Sequence, residues 1–134
     1  MQRNAFRVAT ATIIALLCAA SPFATAHHGV SSYDMGVVRT LEGVIVKWDW
    51  KNPHTWLTLA VTADGEQQTW EIEGAPPQWM TGQGWSPESL AVGEAVSILF
   101  HPVKTPTNGG ILMEVARSNG QLLKVNRPAR LGGP

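Results

Sequence analysis

Histidines are the residues of this sequence best suited to metal chemistry. The four histidines are His27, His28, His54 and His101. His27 follows Ala24-Thr25-Ala26, a small-x-small tripeptide of the kind that signal peptidase accepts. Cleavage after Ala26 would give His27 a free α-amine, so that one residue could bind a metal through both the amine and its ring Nδ1. A third imidazole would complete a nitrogen-rich, tetragonal site, which suits Cu(II) better than other first-row metals.

His54 and His101 are the candidates for the third ligand, because both are predicted at strand ends, where loops gather. We therefore predict a copper site formed by His27, His54 and His101, with His28 able to hold a second metal ion. The alternative is that His27 and His28 belong to a solvated chain end and that His54 only hydrogen-bonds within its turn.

Tryptophans are the second group of residues suited to binding, and three of the six lie around His54 in Trp48–Trp56, "WDWKNPHTW". Exposed aromatic rings form platforms on which sugars and other planar ligands stack. The predicted ligand contacts are Trp50, Trp56, Trp79 and Trp85, whereas Trp48 and Trp70 are assigned to the core. The alternative for these contacts is packing in or over the core, because each tryptophan buries a large apolar area.

The acidic residues form no catalytic pattern. Glu71 and Glu73 lie two apart on one strand face, which predicts that both are solvated. Asp34 and Asp49 lie near the histidine-bearing segments and are predicted to orient an imidazole ring. The sequence has no Ser-His-Asp spacing, phosphate-binding glycine loop or catalytic carboxylate pair. It therefore provides no catalytic residue and favours a binding protein over an enzyme.

The first 26 residues have the organisation of a secretory signal peptide. Arg3 and Arg7 precede an apolar run, Val8–Ala20, which is too short to span a bilayer comfortably. Cleavage after Ala26 predicts a periplasmic or secreted protein whose mature chain has no membrane span. Cys18 lies within the leader, so the mature chain would have no cysteine for disulfides or thiolate metal sites.

The charge balance argues against a nucleic-acid partner. The whole sequence has 10 Lys and Arg residues and 10 Asp and Glu residues. Arg3 and Arg7 would leave with the leader, so that 8 basic residues remain against 10 acidic ones. Because nucleic-acid-binding domains normally carry a basic surface, the predicted partner is a metal ion or a small ligand, and no nucleic acid is expected.

Strand signals dominate residues 38–125, which we predict to be one domain between an arm at 27–37 and a disordered tail at 126–134. The predicted strands are Arg39–Trp50, His54–Thr62, Gln68–Glu73, Ala95–His101, Ile111–Ala116 and Gln121–Val125. Gly43 lies within the first strand and predicts a bulge or a tight bend there. Strict alternation would place Trp48 and Trp50 on one face of that strand with Val44 and Val46.

A short helix is predicted before the fourth strand, where Ser86 can act as the cap, Pro87 can take the first helical position and Glu88 can follow in the first turn. The preceding segment, Gly74–Trp85, is predicted as a loop. Five to six strands with one short helix before the fourth are typical of a small all-β, OB-like barrel. A β-sandwich is the alternative.

Four segments carry a resemblance to a known family. They are "AHHGVSSYD", "LEGVIVKWDWKNPHTWLTLAV", "WEIEG" and "GWSPESLAVGEAVSILFHP". Together they resemble small secreted bacterial proteins grouped as a domain of unknown function, and the similarity extends from His27 to about Val125. Its most specific parts are the His27-His28 start, the Asn52-Pro53-His54 turn with Trp56, and Gly84-Trp85. The resemblance implies a periplasmic or secreted β-barrel domain and implies no activity, cofactor or site residue.

The residues therefore favour an exported module that binds copper. A non-metal binding domain for a glycan, a small ligand or a protein partner is the second hypothesis, and a structural accessory domain of the envelope is the third. Geometry discriminates between the first two, because His27, His54 and His101 must approach within about 5 Å of a common point to share one metal.

Overall fold

Alternating apolar residues form six β-strands in the computed structural model, which describes residues 30–127. The strands are β1 (Arg39–Asp49), β2 (Trp56–Ala63), β3 (Glu66–Glu73), β4 (Ala95–Pro102), β5 (Gly109–Arg117) and β6 (Leu122–Lys124). One α-helix, α1, spans Pro77–Thr81, and 3₁₀ helices span Val30–Ser32 and Pro87–Ser89. Each observed strand overlaps a predicted one, which confirms the all-β prediction.

The sheet closes on itself through a parallel contact between β3 and β5. β1 pairs with β4 through Arg39–Val44 and with β2 through Val44–Asp49, and both pairings are antiparallel. β2 also pairs with β3, and β4 with β5. The short parallel pairing of Glu71–Glu73 with Gly109–Ile111 then completes a five-stranded ring, and β6 extends the sheet beyond β5. This is the predicted OB-like arrangement, and the described residues form one sheet rather than the two of a sandwich.

The core fills the inside of this ring. On β2, Leu57 and Leu59 are fully buried and Val61 is 6% exposed, as their alternation predicts. From β4, the alternate residues Val96, Ile98 and Phe100 enter the same cluster. Helix α1 contributes a fully buried methionine, and other strands complete the packing. The remaining core residues are Ile45, Ile72, Ala75, Met80, Trp85, Leu90, Leu112, Val115 and Val125.

A β-bulge at Val46 changes which side chains of β1 point inward. Ile45 lies opposite Leu59, but the register shifts at the next residue, so that Trp48 lies opposite Leu57. One inserted residue reverses the alternation of a strand. Val46 is consequently 51% exposed, while Trp48 packs against the core. The predicted common face of Trp48 and Trp50 with Val44 and Val46 is therefore wrong.

Gly43 is not the site of the bulge that its position predicts. It pairs in regular register with Val96 of β4. A Cβ added at Gly43 would lie 2.9 Å from the carbonyl oxygen of Ala60 on β2. Glycine is favoured here because β2 approaches β1 closely at the point where β1 changes partners.

The helical segment before β4 begins earlier than predicted. Ser86 does cap a turn, since its hydroxyl accepts a hydrogen bond from Glu88 N at 3.2 Å, with Pro87 at the first helical position. That turn is a single 3₁₀ turn, whereas the α-helix, α1, lies in the segment predicted as a loop. Its first residue is Pro77, so the proline that indicated a loop instead starts a helix.

Replacing Gly110 of β5 by alanine should destabilise the ring. The added Cβ would overlap the Phe100 ring and lie 2.6 Å from the carbonyl oxygen of His101. Overpacking of this kind costs about 1–3 kcal/mol, which urea denaturation would measure as a lower free energy of unfolding. Gly36→Ala is the matched control, because its added Cβ would meet only Asp34 Oδ1 at 3.5 Å. Equal stability of the two variants would contradict this close packing.

Candidate functional site

The carboxylate of Glu73 lies inside the protein at the end of β3. Glu73 is 5% exposed, although its neighbour on the same strand face, Glu71, is exposed. The prediction that both are solvated is wrong for Glu73, because the residues before β1 cover this part of the face. A buried carboxylate must be hydrogen-bonded or paired to be tolerated, and two side chains from other segments bond its two oxygens.

Tyr33 provides the first of these bonds, and its hydroxyl donates to Glu73 Oε2. Tyr33 is 6% exposed and forms an isolated β-bridge with Val103. Asp34 N donates to the carbonyl oxygen of Pro102 at 2.8 Å, and Lys104 N donates to that of Ser32 at 3.0 Å. These bonds attach residues 32–34 to the chain that follows β4 and hold the phenol over Glu73.

His54 provides the second bond, with Nδ1 2.8 Å from Glu73 Oε1. The backbone beside it is rigid, because Thr55 N donates to Ala75 O at 3.1 Å and Gly74 N donates to Thr55 O at 2.8 Å. An ionised carboxylate only accepts hydrogen bonds, so in the neutral imidazole Nδ1 carries the proton and the lone pair is on Nε2. Among residues 30–127, Nε2 has no hydrogen-bond partner, and the side chain is 37% exposed.

Arg127 supplies a positive charge near the same carboxylate. Burial lowers the pKa of its guanidinium, while the neighbouring Glu73 and Tyr33 oppose that change. Its Nη2 is buried and has no hydrogen-bond partner among the described residues. Asn126 is also held, since its N–H donates to Gln83 Oε1 at 2.7 Å. Asn126 and Arg127, the first two residues after the predicted domain, thus contact residues of that domain or of the arm.

A cavity of about 820 Å³ opens beside this cluster. It lies between the β1–β2 connection, the chain after β4 and the residues before β1. The lining residues are Ser31, Ser32, Tyr33, Pro53, His54, Trp56, Glu73, Val103, Lys104 and Thr105. A concave, largely apolar space with a few convergent polar groups is the usual form of a ligand site.

Of the two predicted metal ligands within residues 30–127, His54 and His101, the structure places His54 in this cavity. His27 and His28 lie outside the described residues. His101 is not among the lining residues, and its Nδ1 lies 2.7 Å from the carbonyl oxygen of Val37. Within residues 30–127, no three His, Cys, Asp or Glu side chains are grouped so that they could hold a metal ion.

Among residues 30–127, the carboxylate that bonds a histidine is that of Glu73 and not that of Asp34 or Asp49. Asp49 pairs with Lys47 at 2.6 Å, and Asp34 Oδ1 accepts a hydrogen bond from Gly36 N at 3.2 Å. A signal for Glu73 was available in the sequence. The Asp64-Gly65 turn sets the register of the β2–β3 hairpin, and counting back from it places Glu73 opposite Trp56, two residues from His54.

The predicted tryptophan contacts lie in three environments: the cavity, the core and the surface. Trp56 lines the cavity. Trp85 is 2% exposed and its Nε1 donates to Lys124 O at 2.8 Å, so it has the core position that was the alternative to ligand contact. Trp50 packs against Trp48 with ring centroids 5.7 Å apart. Trp79, on α1, is 37% exposed and is not a cavity residue.

Comparison with known sequences identifies the family. Residues 14–113 match the profile of a family of unknown function, DUF6152. The chain belongs to this family. No curated protein matches the sequence. Membership agrees with the predicted resemblance to a domain of unknown function.

Comparison with solved structures gives a distant similarity. This DUF6152 protein is similar to the mitochondrial single-stranded DNA binding protein Rim1 of S. cerevisiae, with 14% sequence identity and a TM-score of 0.45. The match covers 67% of this chain and 96% of the other. In residues 30–127, no helix is both long and apolar enough to cross a membrane.

Tyr33 should remain protonated at a pH where tyrosine normally ionises. Burial raises the pKa of its phenol, and the hydrogen bond to Glu73 and the charge of that carboxylate raise it further. Tyr33 is the one tyrosine in this DUF6152 sequence, so the ultraviolet absorbance of tyrosinate reports it alone. A free tyrosine is half ionised at about pH 10, and the folded protein should show no such step.

Because the pKa of Tyr33 is raised on folding, the free energy of unfolding should fall as the pH rises above about 10. The raised folded pKa means that the contribution of Tyr33 is complete below about pH 10 and is lost as the pH rises toward the folded value. Glu73→Gln removes the negative charge and should move the tyrosinate step to lower pH. A step near pH 10 in the unsubstituted protein would contradict the buried pair.

Proposed function

We propose that this protein is an exported module that binds Cu(II) through His54 and the amine-terminal His27 of the chain cleaved after Ala26. The hydrogen bond from His54 Nδ1 to the buried Glu73 carboxylate is the observation that supports the proposal most directly. It leaves Nε2 as the ring nitrogen with a lone pair, beside a cavity that a ligand can enter.

A carboxylate behind a histidine is the usual support of a metal-binding imidazole. Such a partner fixes the tautomer and the ring orientation, and it raises the basicity of the coordinating nitrogen. Copper is one of the metals for which an imidazole nitrogen is a suitable ligand. Glu73 meets these requirements because it is buried, and Tyr33 holds its second oxygen.

The length of the chain before Val30 supports the participation of His27. Ser31 and Ser32 line the same cavity as His54. An extended chain covers about 3.3–3.6 Å per residue, so the Cα of His27 must lie within about 11 Å of the Cα of Val30. This short reach supports a role for the first mature residue at the cavity.

His28 and His101 have smaller parts in the proposal. His28 stays a candidate for a second, weaker metal ion. His101 was predicted as a third ligand, but its Nδ1 is engaged by Val37 O outside the cavity. We therefore assign His54 as the copper ligand from the folded domain. His101 serves as the matched histidine for control experiments.

Copper titration of the processed protein tests the proposal. Mass spectrometry would first establish that the chain isolated from the periplasm or medium begins at His27. Cu(II) should then bind with one-to-one stoichiometry, and EPR should show coupling to several nitrogens. Glu73→Gln should weaken binding by about 10–100-fold, as expected for the loss of a metal ligand's supporting carboxylate, and His54→Ala should weaken it at least as much.

Two controls decide the ligand set. His101→Ala should leave the copper affinity unchanged. Addition of one residue before His27 converts its amine into a peptide nitrogen and should abolish tight binding. Equal affinity of the extended and the native chain, or of His54→Ala and the unsubstituted protein, would show that copper is not bound in this way.

A further inference from the structure

We infer that the cavity beside His54 binds a small planar aromatic carboxylate, with its ring against Trp56 and its carboxylate toward Lys104. This inference goes beyond copper binding, because the side chains that carry it form the walls and rim of the cavity and require no metal. It also narrows the second hypothesis of the sequence analysis, a non-metal binding domain, to one chemical class of ligand.

The walls of the cavity favour a flat, apolar ring. Trp56, Pro53 and Val103 present apolar surface to a volume of about 820 Å³, which exceeds that of a bicyclic aromatic acid. Trp56 is half-buried, so part of its indole is open to a ligand in the cavity. Aromatic rings prefer offset-stacked or edge-to-face contacts with such a ring.

Apart from His54 Nε2, which is an acceptor, the polar groups of the cavity favour a ligand that accepts hydrogen bonds. Glu73 is the one carboxylate among the described lining residues, and its oxygens are already bonded by Tyr33 and His54. The Lys104 ammonium can only donate. The hydroxyls of Ser31 and Ser32 stand on the same lining and can also donate. A ligand with an anionic group that accepts hydrogen bonds would therefore complement Lys104, Ser31 and Ser32.

Charge points to the same ligand. Of the lysines in residues 30–127, Lys47 and Lys51 pair with Asp49, and Lys124 pairs with Glu114. Lys104 has no carboxylate within 4.0 Å in that part of the chain.

The buried carboxylate of Glu73 does not neutralise the charge of the Lys104 ammonium. Arg127 already provides one positive charge near the single negative charge of Glu73, and its buried Nη2 is itself unpaired among the described residues. The cavity lining thus holds one carboxylate, Glu73, which already has Arg127 near it, and one lysine, Lys104, which has no carboxylate partner among the described residues. A local excess of positive charge in a concave site attracts anions.

Calorimetric titration of metal-free protein with 2-naphthoate tests the inference. The processed protein, freed of metal on a chelating resin, should bind 2-naphthoate at one saturable site. The neutral 2-naphthamide should bind about tenfold more weakly, because a hydrogen bond to a charged group is lost. Cyclohexanecarboxylate should also bind more weakly since it lacks a flat ring, and glucose should not compete.

Substitutions locate the bound ligand. Lys104→Gln should weaken 2-naphthoate binding about tenfold while leaving 2-naphthamide binding unchanged. Lys104 is exposed, so this variant will fold, and Lys124→Gln is the matched control at a distant lysine. Trp56→Leu should weaken binding of both compounds, and Trp56→Phe should restore part of it.

The outcomes separate this inference from the copper proposal. Absence of saturable binding, equal affinity for 2-naphthoate and 2-naphthamide, or binding unaffected by Lys104→Gln would overturn the inference. Competition by glucose would indicate a glycan site and would overturn it as well. None of these results uses copper, and extension of the chain before His27 tests the metal site alone, so that either proposal can fail without the other.

Discussion

The burial of one carboxylate, that of Glu73, determines how the other parts of this site are arranged. An ionised carboxylate removed from water is tolerated only where hydrogen bonds and opposite charge replace its hydration. Tyr33 from the arm and His54 from the β1–β2 turn each bond one oxygen, and Arg127 brings a cation from the chain after β6. Three segments far apart in sequence are thus held at one point. Loss of any partner would leave a buried charge incompletely satisfied, which ties the position of the arm and the orientation of the His54 ring to the same interaction.

Closure of the sheet is what brings these segments together. The parallel pairing of Glu71–Glu73 with Gly109–Ile111 places the end of β3 beside the start of β5. The chain between β4 and β5 therefore passes close to Glu73, and the arm docks on that chain through the Tyr33–Val103 bridge. The glycines at this junction follow from the same closure. At Gly74 a side chain would overlap Thr55, and at Gly110 it would overlap Phe100. The ring thus explains both the tight packing of the core and the cavity at its end.

Local patterns predicted the strands well, because each strand depends on its own alternation and its bounding turns. The register of β2 and β3 was also available from the Asp64-Gly65 turn, and with it the cross-strand neighbours Trp56 and Glu73. Two features could not be read in this way. A β-bulge is not marked by any particular residue type. The inward orientation of Trp48 could therefore be recognised only from the observed strand pairing, which shows the bulge at Val46. The burial of Glu73 depends on Tyr33, 40 residues earlier in the chain, and solvation of that strand face was the reasonable expectation from alternation alone.

The two proposed occupants of the cavity are linked by its charge. A Cu(II) ion at His54 would be favoured by Glu73 but opposed by Arg127, which lies near that carboxylate, and by Lys104 on the cavity lining. A bound carboxylate would reduce the electrostatic repulsion between the metal ion and these cations. The metal ion would in turn attract the anion. Thermodynamic linkage requires the effect to be reciprocal, so the factor by which the anion tightens copper binding equals the factor by which copper tightens anion binding. Under the two proposals, the copper affinity measured with the anion bound should therefore exceed that measured without it.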